Sequence, residues 1–279
     1  MGAKMNFSGR WVLVTGASGG LGLEMAKQFA RDHKANLILV ARRLERLAAL
    51  QKELEAAHGV QCRVIAADLS NAADVERVYQ ESIRQEVYGV VLNAGVTCFG
   101  RQLDIAWEAF QAMLATNVTS VVRLSTLFAA YLKERKQGGG IMLVGSIAGF
   151  LPVPYQSAYA ASKAFVTHFG QGLYQELRGT GVSVTVFAPG GIATDMTNVG
   201  GLSYFKDSIF VQKVEACAKD GIGAMQSRRY LLVPGVLNRI QVFFARLAPR
   251  RVLSTIAEVT YRQALVAWEK ENPPPMERA

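Results

Sequence analysis

The residues best equipped for chemistry in this chain are a phenol and an amine one helical turn apart. Tyr159 and Lys163 frame the segment Tyr159-Ala160-Ala161-Ser162-Lys163, and an i, i+4 spacing puts both side chains on one face of a helix. A free tyrosine ionises near pH ~10, too high for ready proton exchange at neutral pH, but an ammonium fixed beside it stabilises the phenolate. The spacing therefore predicts a proton-transferring Tyr159 tuned by Lys163. Upstream, Ser146 offers a hydroxyl able to donate to an oxygen on which charge develops. A Tyr-x-x-x-Lys pair alone occurs on many amphipathic helices, so its meaning rests on the elements that hold it.

Those elements read as strands alternating with helices. Trp11 to Thr15 is an apolar run that meets glycines and then the periodic stretch Leu21 to Arg31. Asn36 to Val40 is a second strand before a helix over Arg43 to His58, and Gln61 to Ala66 a third, with Ser70 placed to cap the helix after it. Val87 to Leu92 makes a fourth strand. One long helix is predicted within Ile105 to Lys136, ended by glycines 138 to 140; Ile141 to Val144 then forms a fifth strand. A helix over Gln156 to Arg178 and a sixth strand, Val182 to Phe187, follow. Strands this apolar, interleaved with helices, predict a doubly wound α/β fold, a parallel sheet covered on both faces. Beyond Pro189 the pattern loosens: Tyr230 to Val233 reads as a seventh strand and Gly235 to Lys270 as a helical extension.

The first strand-to-helix turn, Thr15-Gly16-Ala17-Ser18-Gly19-Gly20-Leu21-Gly22, lies where free backbone N–H groups and the helix dipole attract a pyrophosphate. Such turns also serve tight packing alone. After the second strand, where an acid would hold the ribose hydroxyls of NAD, the sequence reads Ala41-Arg42-Arg43. With no acid and two guanidiniums, contact with the 2′-phosphate of NADP(H) is the favoured reading, and a solvated helix start the plainer one. Arginines at a helix N-terminus oppose the dipole, which a bound anion would resolve.

Taken with Asn93-Ala94-Gly95, Asn117, Ser146, the YAASK segment at 159–163 and PGGIAT at 189–194, the turn TGASGGLG at 15–22 makes the chain resemble the short-chain dehydrogenase/reductases over residues 8 to 233. The resemblance implies a Rossmann-like fold and an NADP(H)-dependent carbonyl reductase. It makes Tyr159 the acid in carbonyl reduction and the base in alcohol oxidation, Ser146 the donor to the substrate oxygen, and Lys163 also a holder of the nicotinamide ribose. Asn117 is then the residue that positions a proton-relay water. It assigns phosphate contacts to Gly16, Ser18, Gly20, Leu21 and Gly22, with Arg42 and Arg43 beside them. Adenine contacts fall to Asp68 and Leu69, although Asp68 also reads as a turn acid. Asn93, Ala94 and Gly95 shape the end of the fourth strand, while Pro189, Gly190, Ile192 and Thr194 meet the nicotinamide side. Tyr155 and Met196 join Ser146 and Tyr159 as substrate contacts. Leu92, Gly19 and Leu21 depart from commoner residues at their positions without removing a side chain that chemistry needs. The four-residue tyrosine-to-lysine interval, shorter than in the related enoyl reductases, favours a carbonyl over a carbon–carbon double bond.

At 279 residues, half apolar and 19% charged, the chain can bury a large core and reads as one domain over 1–279. Its core is expected at 8–190, a substrate loop at 191–225 and a helical extension at 234–279. Cys62, Cys98 and Cys217 form no Cys-x-x-Cys pair, and the three histidines form no ligand-spaced cluster; reduced thiols in the cytoplasm and no metal are expected. Met1 to Arg10 is too polar for a secretory signal, Asn6 breaks the myristoylation pattern, and no uninterrupted apolar run has spanning length. The net charge of +9 is uneven: Gly221 to Ala257 carries six arginines and no acid. Within it Val236, Leu237, Ile240, Phe243, Phe244 and Leu247 recur at helical spacing. Packing over the sheet or a subunit, a lid over a lipophilic substrate, and peripheral membrane contact are the readings of that stripe. No nucleic-acid partner is expected, and a homodimer or homotetramer follows from the resemblance alone. A cofactor-binding sensor or scaffold without chemistry is the functional alternative.

Overall fold

The computed structural model describes residues 3–194, 200–206, 208–209 and 211–272. Seven parallel strands form one sheet in the order β3-β2-β1-β4-β5-β6-β7: β1 Trp11–Thr15, β2 Asn36–Ala41, β3 Cys62–Ala66, β4 Val87–Leu92, β5 Gly139–Val144, β6 Val182–Phe187 and β7 Leu231–Leu232. The order reverses between β1 and β4, and in an open α/β sheet the crevice beyond the strand ends at such a point is where ligands bind.

Both faces are covered, and alternation along each strand decides which core a side chain joins. Val12 and Val14 point into one cluster with Leu37, Leu39 and Phe187, under α1 (Gly20–His33), α2 (Leu44–His58) and α7 (Val214–Gln226). Trp11 and Leu13 point into the other with Ile38, Val90 and Val184, under α3 (Ala72–Ser82), α5 (Ser120–Arg135) and α6 (Ser157–Glu176). This Rossmann-like, doubly wound arrangement is the fold expected from the sequence.

Several details differ. The cap of α3 is Asn71, whose side chain accepts from Ala73 N at 2.8 Å; Ser70 instead bonds Asp68. The strand β5 starts at Gly139, earlier than expected, because these glycines do not merely end a helix. A Cβ on Gly139 would sit 2.7 Å from Tyr88 O, and one on Gly140 2.7 Å from Ser183 Oγ. The long helix spans Trp107–Arg135 but is interrupted: α4 (Trp107–Leu114) passes through a π turn, Ala115–Thr119, into α5. By length and composition that run could cross a membrane, yet half of its most apolar window is buried inside the protein. In the C-terminal region α7 went unpredicted, and the helical extension breaks at Pro249 into α8 (Val236–Leu247) and α9 (Arg250–Glu271). The apolar stripe of α8 is also reversed relative to a packed helix: Asn238, Val242 and Ala245 are buried, while the stripe faces outward.

Candidate active site

At the switch point the ends of β1 and β4 are stapled by one hydroxyl. Thr15 Oγ1 accepts from the backbone N–H of Asn93 and of Ala94, each at 2.9 Å, and the Asn93 amide donates to Thr15 O at 3.0 Å. The glycine turn is pressed against this staple. Gly16 takes φ +71°, and a Cβ on Gly22 would lie 2.4 Å from Gly16 O. The helix α1 then begins at Gly20 with no side-chain cap and no acid in its first turn, which leaves backbone donors there for an anion. The Leu21 side chain is buried, while Gly20 packs towards Thr194.

Arg43 is braced over the turn. Its Nε and Nη2 donate to Ser18 Oγ at 3.2 and 3.1 Å, and Nη2 also reaches Ser18 O at 3.3 Å. Arg42 is exposed, with Nη1 4.0 Å from Asp68 Oδ2. Asp68 does act as a turn acid: Oδ1 accepts from Ser70 N and Ser70 Oγ at 2.9 and 2.8 Å. The backbone hydrogen bond from Ser70 leads the influences that lower its pKa against the opposing cost of burial. The Leu69 side chain is buried in the core with Val75, so only its backbone could meet an adenine.

The helix α6 delivers Tyr159 and Lys163, and β5 ends just before Ser146. The Ser146 hydroxyl lies close enough to the Tyr159 phenol to lower its pKa and accepts from Ala148 N at 3.2 Å. Lys163 Nζ donates to Val144 O at 3.0 Å and lies 5.8 Å from the Tyr159 ring centre. Burial pushes the Tyr159 phenol up to about 12, the Ser146 hydroxyl opposing and Tyr261 reinforcing the shift. Burial also pulls the Lys163 ammonium down to about 8. Sequence reasoning expected the lysine to make the phenol more acidic. In this arrangement the ammonium donates to Val144 O while staying beside the Tyr159 ring, and burial keeps the phenol protonated at neutral pH.

These two groups give a pH dependence with a defined sign. Between about 8 and 10.5 the folded chain has released the Lys163 proton that the unfolded chain retains, so stability rises with pH across that window. Tyr159, raised from 10 to about 12, works in the opposite sense only above pH 10. Urea midpoints at pH 8 and pH 10 are therefore expected to climb more in the parent chain than in Lys163→Met. Parallel climbs would remove the buried-ammonium account.

Asn117 lies in the π turn and is fully buried. Its amide donates to Val96 O at 2.8 Å and to Ser162 Oγ at 3.2 Å, and Oδ1 accepts from Val96 N at 2.9 Å. The side chain expected to position a relay water is thus engaged in clamping the chain after β4 to α6. A Cβ on Gly95 would come within 3.3 Å of both Asn117 Oδ1 and Lys163 Nζ, so that glycine keeps the two polar groups close to one backbone.

On the nicotinamide side, Pro189 O accepts from Ile147 N at 2.9 Å, a Cβ on Gly190 would meet Asn238 Nδ2 at 2.6 Å, and Ile192 bridges Gln212. Met196 lies outside the described residues. Tyr155 is held by α9, its hydroxyl donating to Glu258 Oε1 at 3.0 Å. That helix also brings Tyr261, which no motif marked. Its ring packs on Phe205 at 4.9 Å and stacks on Phe99 at 6.3 Å, and an Arg101–Glu269 ion pair pins the same helix further on.

The family model of the short chain dehydrogenases matches residues 10–201. The chain belongs to the short-chain dehydrogenase/reductase family. Sulfoacetaldehyde reductase 2 of Chromohalobacter salexigens is 34% identical to this dehydrogenase/reductase over 85% of the chain and 95% of that protein. Rat (Rattus norvegicus) 17-beta-hydroxysteroid dehydrogenase type 3 is 31% identical over 70% of the chain, a match spanning 64% of the rat protein. Among solved structures, a short-chain dehydrogenase from Sphingobium yanoikuyae in complex with NADPH superposes with a TM-score of 0.76 at 26% identity, covering 97% of this chain and 98% of that one.

Proposed function

We propose that this short-chain dehydrogenase/reductase is an NADP(H)-dependent reductase of lipophilic ketones or aldehydes, running the reverse alcohol oxidation on the same residues. The observation that carries the reading is the pairing of the Ser146 hydroxyl with the Tyr159 phenol, close enough to act on its pKa, after the carboxyl end of β5 in a sheet whose first strand runs into the uncapped start of α1. The donor set fits a dinucleotide phosphate: first-turn backbone N–H groups at Gly20 to Gly22, which lie ahead of the helix's own i to i−4 bonds, no acid in that turn, and a braced Arg43 above it. When bound, NADPH supplies the hydride that reduces the carbonyl carbon. Tyr159, protonated at neutral pH, gives its proton to the carbonyl oxygen as negative charge grows there. Ser146 donates a second hydrogen bond to that oxygen and holds it at the phenol. Lys163, within reach of Gly95 and Val144, anchors the ribose and keeps positive charge near the new phenolate. Asn117 maintains the path of residues 93–96. A cytoplasmic, homo-oligomeric enzyme, with its core at 8–190, substrate loop at 191–225 and extension at 234–279, completes the proposal.

The lipophilic substrate is read from the aromatic wall of Phe99, Phe205 and Tyr261, closed by Tyr155. NADPH oxidation across ketones of increasing bulk tests it. Turnover is expected to favour the bulky members, and Tyr261→Ala to raise their KM about tenfold with kcat little changed, since it removes contact surface and no reacting group. Bound NADPH with no oxidation across the whole panel would instead favour the sensor alternative.

A further inference from the structure

The helix α8 is amphipathic, with its apolar face turned away from the protein. Its six outward side chains, Val236, Leu237, Ile240, Phe243, Phe244 and Leu247, are between 45% and 68% exposed. At the α-helical repeat they fall within a sector of about 120°, opposite the buried Asn238, Val242 and Ala245. Arg239 and Arg246 run along one border of that sector. Arg250 and Arg251 open the next helix, and no carboxylate occurs from residue 221 to 257. The helix α9 repeats the pattern: Val252, Ile256, Val259 and Val266 are exposed, on the side opposite the buried Ala257 and Ala264.

An outward apolar stripe of this size marks an interaction surface, and its charge selects the partner. Across a twofold axis a second copy would set Arg239 and Arg246 against their own equivalents. An aqueous face would leave the phenylalanines hydrated. An anionic lipid surface satisfies both features, taking the apolar sector at the headgroup–acyl boundary and the guanidiniums on phosphates. We propose that α8 docks this protein on the surface of an anionic bilayer, lying in its plane without crossing it.

The proposal does not depend on the chemistry assigned to Tyr159, but it places that chemistry near lipid. The inner side of α8 packs on Ile147 and Phe150, the turn directly after Ser146, with the Arg246 guanidinium 5.3 Å above the Phe150 ring.

The test is co-sedimentation of the full chain with vesicles of phosphatidylcholine alone and of phosphatidylcholine mixed with phosphatidylglycerol. Retention is expected on the anionic vesicles, weaker retention on the neutral ones, and loss of the difference as salt is raised. Phe243→Ser/Phe244→Ser is expected to lower partition onto anionic vesicles by about tenfold or more, with an unchanged thermal midpoint because both rings are exposed. Arg239→Gln/Arg250→Gln/Arg251→Gln is expected to bring anionic binding down to the neutral level. No retention on anionic vesicles, equal retention on both kinds, or retention indifferent to the phenylalanine pair would each overturn the proposal. So would a homodimer that the same pair dissolves while vesicles remain unbound, which would assign the stripe to a second copy.

Discussion

Tyr159→Phe is expected to cut ketone reduction by about 10²- to 10⁴-fold, the range a positioned general acid supplies, while NADPH affinity stays within about twofold. The substitution removes one oxygen from a half-buried ring and leaves Lys163 on Val144 O, so neither the fold nor the phosphate turn should register it. Steady-state kcat and a fluorescence titration with NADPH separate the two quantities. A parallel loss of binding would mean that the phenol positions the nucleotide and is not the proton donor. Unchanged turnover would end the assignment of Tyr159.

The second large effect is expected at the arginine pair, and unequally within it. Both arginines are exposed, but Arg43 is fixed over the turn by Ser18, whereas Arg42 lies near Asp68, whose carboxylate partly offsets its charge. A hydrogen bond to a charged group contributes about 1.5–3 kcal/mol, so Arg43→Ala should weaken NADPH binding by about 10- to 150-fold. NADH, which lacks the 2′-phosphate, should change several-fold at most. Arg42→Ala is expected to have the smaller effect on NADPH. Dissociation constants for both nucleotides decide the matter: equal losses for NADPH and NADH would remove the 2′-phosphate reading and leave Arg43 as a brace for the turn.

Much of this architecture could be read from residue order because its signals are local. An apolar run followed by TGASGGLG can hardly become anything other than a strand, a turn and a helix, and the same holds for β2, β4 and β6. What could not be read depends on contacts distant in sequence. The π turn at Asn117 has no composition of its own; it is held by Val96 and Ser162, which lie far from it along the chain. Tyr261 is one tyrosine on a long helix, and only folding α9 back over Phe99 and Phe205 brings it to the cleft. The stripe on α8 had a legible period but no legible direction, since periodicity identifies two faces without saying which one the protein keeps. Helix spacing does bring the Lys163 ammonium beside the Tyr159 ring, but its bond to the Val144 carbonyl, on another element, could not be read from spacing.

The staple at Thr15 bears on how ligand arrives. Because one hydroxyl ties Asn93 and Ala94 to the end of the first strand, the gap between the two halves of the sheet has its final width before any nucleotide enters. A receptor already rigid at its floor loses little conformational entropy on association, so induced rearrangement should be confined to the segments above it, and capture should proceed as a single fast step.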